Sequence, residues 1–249
     1  MTLTYIGGPT ALLEIGGLRL LTDPTFDPAG TDYPTPVYTL RKTQAPAIDV
    51  SVLGRVDAVL LSHDHHFDNL DRAGRALLAE VPVTLTTTAG AERLGGTARG
   101  LALWESAQLG DAVRVTATPA RHGPAGGDRG PVIGFVLTSP GQDGAVYVSG
   151  DTVWFDGVEE IGRRFTIGVA LLNMGAAKVA VAGPHALTFT ADDGVALARA
   201  WPRARIVPLH YEGWEHFTQS RAEIQQAFEA AGLEARLAWL SPGRPTRIS

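Results

Sequence analysis

The chain has 249 residues, 45% of them hydrophobic and 19% charged, with 21 basic against 26 acidic side chains and a formal net charge of -5. That balance supplies a sizeable core, excludes a disordered or coiled-coil chain, and argues against nucleic acid as a partner. There is no cysteine, which excludes disulfides, iron–sulfur clusters, thiolate zinc sites and cysteine nucleophiles together and leaves histidine and carboxylate as the only strong ligands for a transition metal.

The opening reads as β structure. Thr4-Tyr5-Ile6, Ala11 to Ile15 and Leu18 to Thr22 are short apolar runs, and Gly16-Gly17 is a tight hairpin pair. From Asp23-Pro24 to about Ser51 the chain carries four more prolines and little periodicity, so it is expected to be an irregular loop and a candidate lid. Ala58 to Leu61 then has the composition of a buried strand and runs directly into SHDHHFDNLD. Asp71 to Glu80 is expected as a helix with Ala73, Ala76 and Leu77 on its apolar side. Further strands are expected at Val83 to Thr86, Val113 to Thr118, Val132 to Leu137, Ala145 to Ser149, Val169 to Leu172 and Ile206 to Leu209. Thr190 with Asp193, and Ser220 with Glu223, have the spacing of capping boxes that open two late helices. The sum is an α/β chain with many strands and a few covering helices. No repeat or charged linker interrupts it, so one domain over 1–249 is expected.

The N-terminal stretch has no basic residue ahead of its apolar part, unlike a signal peptide. The most apolar long segment, Ile167 to Gly183, is interrupted by Asn173 and Lys178. The expectation is a cytoplasmic protein with no membrane partner.

The chemistry gathers just beyond strand ends. His63, His65, His66 and Asp68 follow the strand ending at Leu61; His122 follows the one ending near Thr118; Asp151 follows Ala145 to Ser149; His210 follows Ile206 to Leu209. A rigid sheet fixes residues at such places better than a mobile loop does. Histidine and carboxylate together, without cysteine, suit Zn²⁺, Mn²⁺ or Fe²⁺. In an extended loop alternate residues point the same way, which pairs His63 with His65 and equally Asp64 with His66.

The ordered series SHDHHFDNLD, PARHGP, SGDT and PLHYEGW resembles the metallo-β-lactamase-fold hydrolase superfamily, and within it the branch similar to ascorbate-phosphate lactonase and N-acyl-phosphatidylethanolamine phospholipase D. The opening TYIGGPTALLEIGGLRLLTDP is similar to that branch's opening hairpin. The likeness runs from about Met1 to His216 and implies a four-layer αβ/βα sandwich, two mixed sheets with helices outside and metals at one edge. The family's first motif is His-x-His-x-Asp-His. Aligned from the strand, His63 and His65 take the first two places with one residue inserted before Asp68; aligned from Asp68-Asn69-Leu70-Asp71, Asp64 and His66 take them. In either register Asn69 stands where the family has a second-metal histidine. Gly7-Gly8-Pro9 also departs from relatives with a histidine near the pocket.

Carried over residue by residue, the resemblance implies one metal held by two first-motif histidines and His122. Asp151 would bridge, and Asp68 with His210 would hold a second metal. Asp68 and His210 would also be the catalytic pair, Asp68 as general base or leaving-group acid. His185 and His216 are candidate substrate contacts, Tyr211 and Trp214 candidate packing residues, and Arg41 and Lys42 a solvated basic pair or anion contacts. Asp23 reads as a turn residue or an acceptor behind a ligand histidine. The expected activity is metal-dependent hydrolysis of a small-molecule lactone, ester or phosphoester with one or two divalent ions, Zn²⁺ first and Mn²⁺ or Fe²⁺ after it. The alternatives are a degenerate member with one metal or none that binds a ligand, and a mononuclear-iron oxygenase. A homo-oligomer stays open.

Overall fold

The computed structural model describes residues 1–127 and 129–248. In chain order the strands and helices are β1 (Thr2–Gly7), β2 (Thr10–Ile15), β3 (Leu18–Thr22), β4 (Asp32–Pro34), β5 (Thr39–Arg41), β6 (Ala58–Leu60), α1 (Arg72–Leu77), β7 (Thr84–Thr87), α2 (Thr88–Leu94), β8 (Ala98–Leu101), β9 (Ser106–Leu109), β10 (Val113–Pro119), β11 (Ile133–Thr138), β12 (Ala145–Val148), α3 (Asp156–Arg164), β13 (Ile167–Asn173), α4 (Ala191–Ala200), β14 (Arg205–Leu209), α5 (Arg221–Ala230) and β15 (Thr246–Arg247).

They form a seven-stranded sheet ordered β15-β1-β2-β3-β6-β7-β8, a six-stranded sheet ordered β14-β13-β12-β11-β10-β9, and the separate hairpin β4-β5. Strand alternation explains the layering. Leu3 and Tyr5 of β1, Leu13 of β2, Leu20 of β3, Val115 of β10, Phe135 of β11, Val148 of β12, Val169 of β13 and Val207 of β14 point between the two sheets and form one core. On the outer face of the first sheet, Leu12, Leu21 and Val59 pack with Leu70 and Leu78. On the outer face of the second, Tyr147, Ala170, Leu172 and Ile206 pack against Val158 and Ile161 of α3, Leu197 of α4, and Ile224 and Phe228 of α5. This is the four-layer sandwich with two mixed sheets. Among the described residues no helix is long and apolar enough to cross a membrane.

The region from Asp23 to Ser51 is less irregular than expected. It contains the β4–β5 hairpin, whose Tyr33 and Leu40 bury their side chains against Ala177, Val179, Leu187 and Trp214. Three-residue strands separated by prolines leave no periodicity long enough to read. The helix expected over Asp71 to Glu80 is α1 followed by a 3-10 turn at Leu78–Glu80, with Asp71 as N-cap. Its buried positions are Gly74 and Leu78, and Ala76 is exposed. A Cβ on Gly74 would lie 1.9 Å from the Pro24 carbonyl oxygen; the missing side chain is what lets α1 seat on that segment. Both late capping boxes are formed, at Thr190–Asp193 and Ser220–Glu223.

Parallel pairing sets the position of the site. β3 and β6 run the same way, and so do β12, β13 and β14. Their C-terminal ends, with that of β10, meet at one edge of the sandwich.

Candidate metal centre

The two sheets touch at that edge through Ser62, whose carbonyl accepts from the Ile133 amide at 3.1 Å. Gly150, in the turn before Asp151, has φ 57°, and a Cβ there would come within 2.5 Å of the Ser62 Cβ. Glycine is required for both the left-handed backbone and the close approach. This contact brings the loop after β6 against the loop after β12.

Three imidazoles converge there. His66 Nδ1 lies 3.0 Å from His63 Nε2 and 3.1 Å from His122 Nε2. The outer nitrogens of two rings are committed. His122 Nδ1 donates to the Leu187 carbonyl at 2.8 Å. Ser62 Oγ donates to Asp23 Oδ2 at 2.9 Å and therefore accepts from His63 Nδ1, also at 2.9 Å. Each bond fixes a tautomer, so both Nε2 atoms present lone pairs to the same point. Burial, reinforced by the neighbouring imidazoles, holds His63 well below the usual histidine range and takes His66 down to about 3. Both rings are therefore neutral, the form that binds a cation.

The carboxylates stand beside them. Asp151, fully buried, accepts at Oδ1 from Asn173 Nδ2 at 2.7 Å and from His210 Nδ1 at 3.0 Å. Its Oδ2 lies 3.8 Å from His122 Nε2 and has no hydrogen-bond partner among the described residues; nor has His210 Nε2. Asp68 Oδ2 is 3.0 Å from His216 Nε2 and 3.8 Å from His210 Nε2. Burial alone would raise both carboxyls, but the histidines around them outweigh it and hold both ionised. Two residues here hold left-handed backbone without being glycine, Asp23 at φ 27° and His210 at φ 54°. Such strain costs about 1–3 kcal/mol per residue and collects at functional sites.

This arrangement fits a divalent ion. Ligands about 2.0–2.1 Å from a tetrahedral ion are roughly 3.3 Å apart, close to the nitrogen separations seen. His63, His122 and Asp151 together, and His63, His65 and His66 together, bring potential ligand atoms within 4.8 Å of one another.

Each expected residue has a definite place. His63, His66, His122, Asp151, His210 and Asp68 gather at the site. His65 stands at its rim, its Nε2 2.9 Å from the Arg129 carbonyl. Asp64 turns to Arg93, which donates from Nε to Oδ2 at 2.9 Å. His66 Nδ1 is the nitrogen that meets both His63 Nε2 and His122 Nε2, and His65 also offers a nitrogen within 4.8 Å of those of His63 and His66; the residues between His63 and His66 make a turn instead of an extended run. Asn69 turns away, its Nδ2 donating to Asp23 Oδ2 at 3.3 Å.

His216 lines the cavity with His66, Asp68 and His122, whereas His185 is exposed and outside that lining. Of Arg41 and Lys42 only Arg41 is solvated, exposed on Asp32, whereas Lys42 is buried on Asp71 at 2.9 Å. Tyr211 and Trp214 are core. Sequence reasoning passed over Ser62, Asn173 and the cavity-mouth pair Tyr38 and Arg129, joined at 3.2 Å. For Ser62 and Asn173 the usable signal is adjacency to a strand end that carries candidate ligands.

Residues 18–211 match the beta-lactamase superfamily domain. A UPF0173 metal-dependent hydrolase of Pelotomaculum thermopropionicum is 30% identical, with 100% of both chains covered. One from Pyrobaculum aerophilum is 29% identical with the same coverage. The crystal structure of an isothiocyanate hydrolase from Delia radicum gut bacteria has the same fold, with a TM-score of 0.85 at 24% identity over 100% of both chains. Matched by that domain over most of its length, the chain belongs to the beta-lactamase superfamily.

Proposed function

We propose that this protein is a metal-dependent hydrolase of a small-molecule lactone, ester or phosphoester. The observation that carries the reading is the meeting of His63 Nε2, His66 Nδ1 and His122 Nε2 at 3.0–3.1 Å, with the outer nitrogens of His63 and His122 already bonded. The full-length relatives named as metal-dependent hydrolases support it.

His63, His66 and His122 would hold the ion, Zn²⁺ first and Mn²⁺ or Fe²⁺ after it, with Asp151 Oδ2 facing them. A bound divalent ion supplies a water-derived nucleophile near neutral pH and polarises the oxygen under attack. Asp68, ionised and at the cavity wall, is placed to take the proton released and return it to the leaving group. The cavity beside the site is narrow, about 10 Å³, and its walls include Tyr38, Leu40, Ala177, Val179 and Leu187, with Arg129 as the cation in its lining.

Metal analysis of protein purified without chelator tests the reading, together with His122→Ala and Asp151→Ala and a panel of lactones, esters and phosphoesters. The expected result is co-purifying metal, loss of metal in both variants with the circular dichroism spectrum retained, and turnover on at least one bond class. Less than half an equivalent of metal with no thermal stabilisation by Zn²⁺ or Mn²⁺, or full metal content in both variants, overturns it.

A further inference from the structure

We propose that His216 is a metal ligand and that it completes, with Asp68 and His210, a second divalent-cation position beside the three-histidine one. The proposal rests on the hydrolase reading above and adds one residue, His216, to the second metal position that the resemblance implies for Asp68 and His210.

The geometry begins at Asp68. Its carboxylate is buried, and one oxygen, Oδ2, faces two imidazole nitrogens from different directions: His216 Nε2 at 3.0 Å and His210 Nε2 at 3.8 Å. His210 has its Nδ1 on Asp151, so its Nε2 is the nitrogen that faces the Asp68 oxygen, fully buried and with no hydrogen-bond partner among the described residues. A buried carboxylate oxygen and imidazole nitrogen facing each other need positive charge, supplied by a metal ion between them or by a proton on the ring.

The surroundings hold His216 in this orientation. Its carbonyl accepts from the Lys178 amide at 3.0 Å. Phe217 packs its ring 4.7 Å from both the His210 and the His216 rings, and Trp214 stands 6.4 Å from His216 on another side. Rigid aromatic walls of this kind preorganise a ligand. The residue that follows Asp68 in sequence, Asn69, has no imidazole; its Nδ2 donates to Asp23, and its Oδ1 is buried without a hydrogen-bond partner among the described residues. The second nitrogen therefore comes from the other sheet, six residues past His210. Asp151 Oδ2 is unpartnered and 3.8 Å from His122 Nε2, while its Oδ1 accepts from His210 Nδ1, so one carboxylate touches both groups of histidines.

The competing arrangement is structural, with His216 only donating a hydrogen bond to Asp68. Zinc titration of the chelator-stripped protein, followed by calorimetry and by elemental analysis after desalting, separates the two. The wild type is expected to take up two equivalents. His216→Ala is expected to keep the first and to weaken the second by on the order of 100-fold. His216→Gln retains a donor for Asp68 without an imidazole nitrogen and is expected to behave like His216→Ala. Wild-type saturation at one equivalent, two undiminished equivalents in His216→Ala, or wild-type behaviour in His216→Gln overturns the proposal and leaves the hydrolase reading standing. Absence of any bound zinc in the wild type overturns both. Circular dichroism of each variant shows that a lost equivalent is not lost fold.

Discussion

His66 Nδ1 stands 3.0 Å from His63 Nε2, whereas His65, nearer in sequence, sends its Nε2 to the Arg129 carbonyl at 2.9 Å. The loop after β6 turns between His63 and His66, with Asp64 anchored on Arg93 and its carbonyl accepting from Arg75 Nη2 at 3.0 Å. Two arginines thus fix the turn, and the turn selects which histidine faces His122. His66→Ala is expected to lose the co-purified ion, while His65→Ala retains at least half of it and stays close to the wild-type midpoint of thermal unfolding. Elemental analysis of the two variants side by side checks this, and the reverse ranking would restore the alternate-residue pairing.

Periodicity made the sandwich legible and strand-end chemistry made the site legible, but for different lengths of chain. Strands such as β10 and β11 carry six or seven residues of apolar pattern, enough to read; β8, β9 and β15 carry two to four and pass unnoticed. Helices α2 and α3 were missed as well. α2 starts directly from β7 with Thr87 as its cap, and α3 has no side-chain cap at Phe155. The candidate ligand histidines are visible because each follows a strand. Their pairing is not, because it depends on the hydrogen bonds of Asp64 with Arg93 and of Ser62 with Asp23, which cross 29 and 39 residues of sequence. No spacing rule for an extended loop anticipates a turn held from so far away.

Lys42 and Asp71 form the second relation that the sequence conceals. The lysine Nζ meets Asp71 Oδ2 at 2.9 Å with both side chains at 5% exposure or less, and Nζ also lies 5.6 Å from the centre of the Trp214 ring. Asp71 accepts from the Asp27 and Gly74 amides as well, so one carboxylate ties the β4–β5 region to the cap of α1. Removing one member of a buried pair leaves the other charged and unpaired, which typically costs 3–5 kcal/mol. Because two amides still serve Asp71, Lys42→Met is expected to cost about 3 kcal/mol by urea denaturation, with metal stoichiometry unchanged. A loss below about 1 kcal/mol would show that Lys42 is not needed to balance Asp71.

Gly74 offers a sharper test of the α1 seat. A methyl group there would fall 1.9 Å from the Pro24 carbonyl oxygen, a backbone atom that no rotamer can move away. Alanine has the better intrinsic helix propensity by about 1 kcal/mol, so propensity alone predicts a gain from Gly74→Ala. Overpacking typically costs 1–3 kcal/mol, and backbone displacement puts this site at the upper end. The expected outcome is a net loss of about 2 kcal/mol in chemical denaturation; a stabilised variant would mean that α1 does not lie on Pro24 as described.

Asp23 gives the metal-free protein a distinctive dependence on pH. Burial, with the Asp151 charge adding to it, pushes its carboxyl up to about 7 against the hydrogen bonds from Ser62 and Asn69. Unfolded, the same group titrates near 3.9. Between those values the folded state binds the extra proton, so this group favours folding at low pH, and its contribution is lost as pH rises from about 4 to 7. The whole effect is on the order of 4 kcal/mol, with roughly half or more of it falling between pH 5 and pH 8. His63, His65 and His66 act in the opposite sense. Their folded values are depressed by burial, so the unfolded chain holds the protons and stability rises with pH up to about 6.5. A single stability profile therefore mixes two slopes, and the difference between wild type and Asp23→Asn isolates one. Asparagine can accept from the Ser62 amide without ever ionising. Measured by urea denaturation in the presence of chelator, the variant is expected to gain steadily on the wild type from pH 5 to pH 8. A difference that stays flat across that range would place the Asp23 carboxylate, charged, in the folded protein at every pH and remove it as the proton-holding group behind His63.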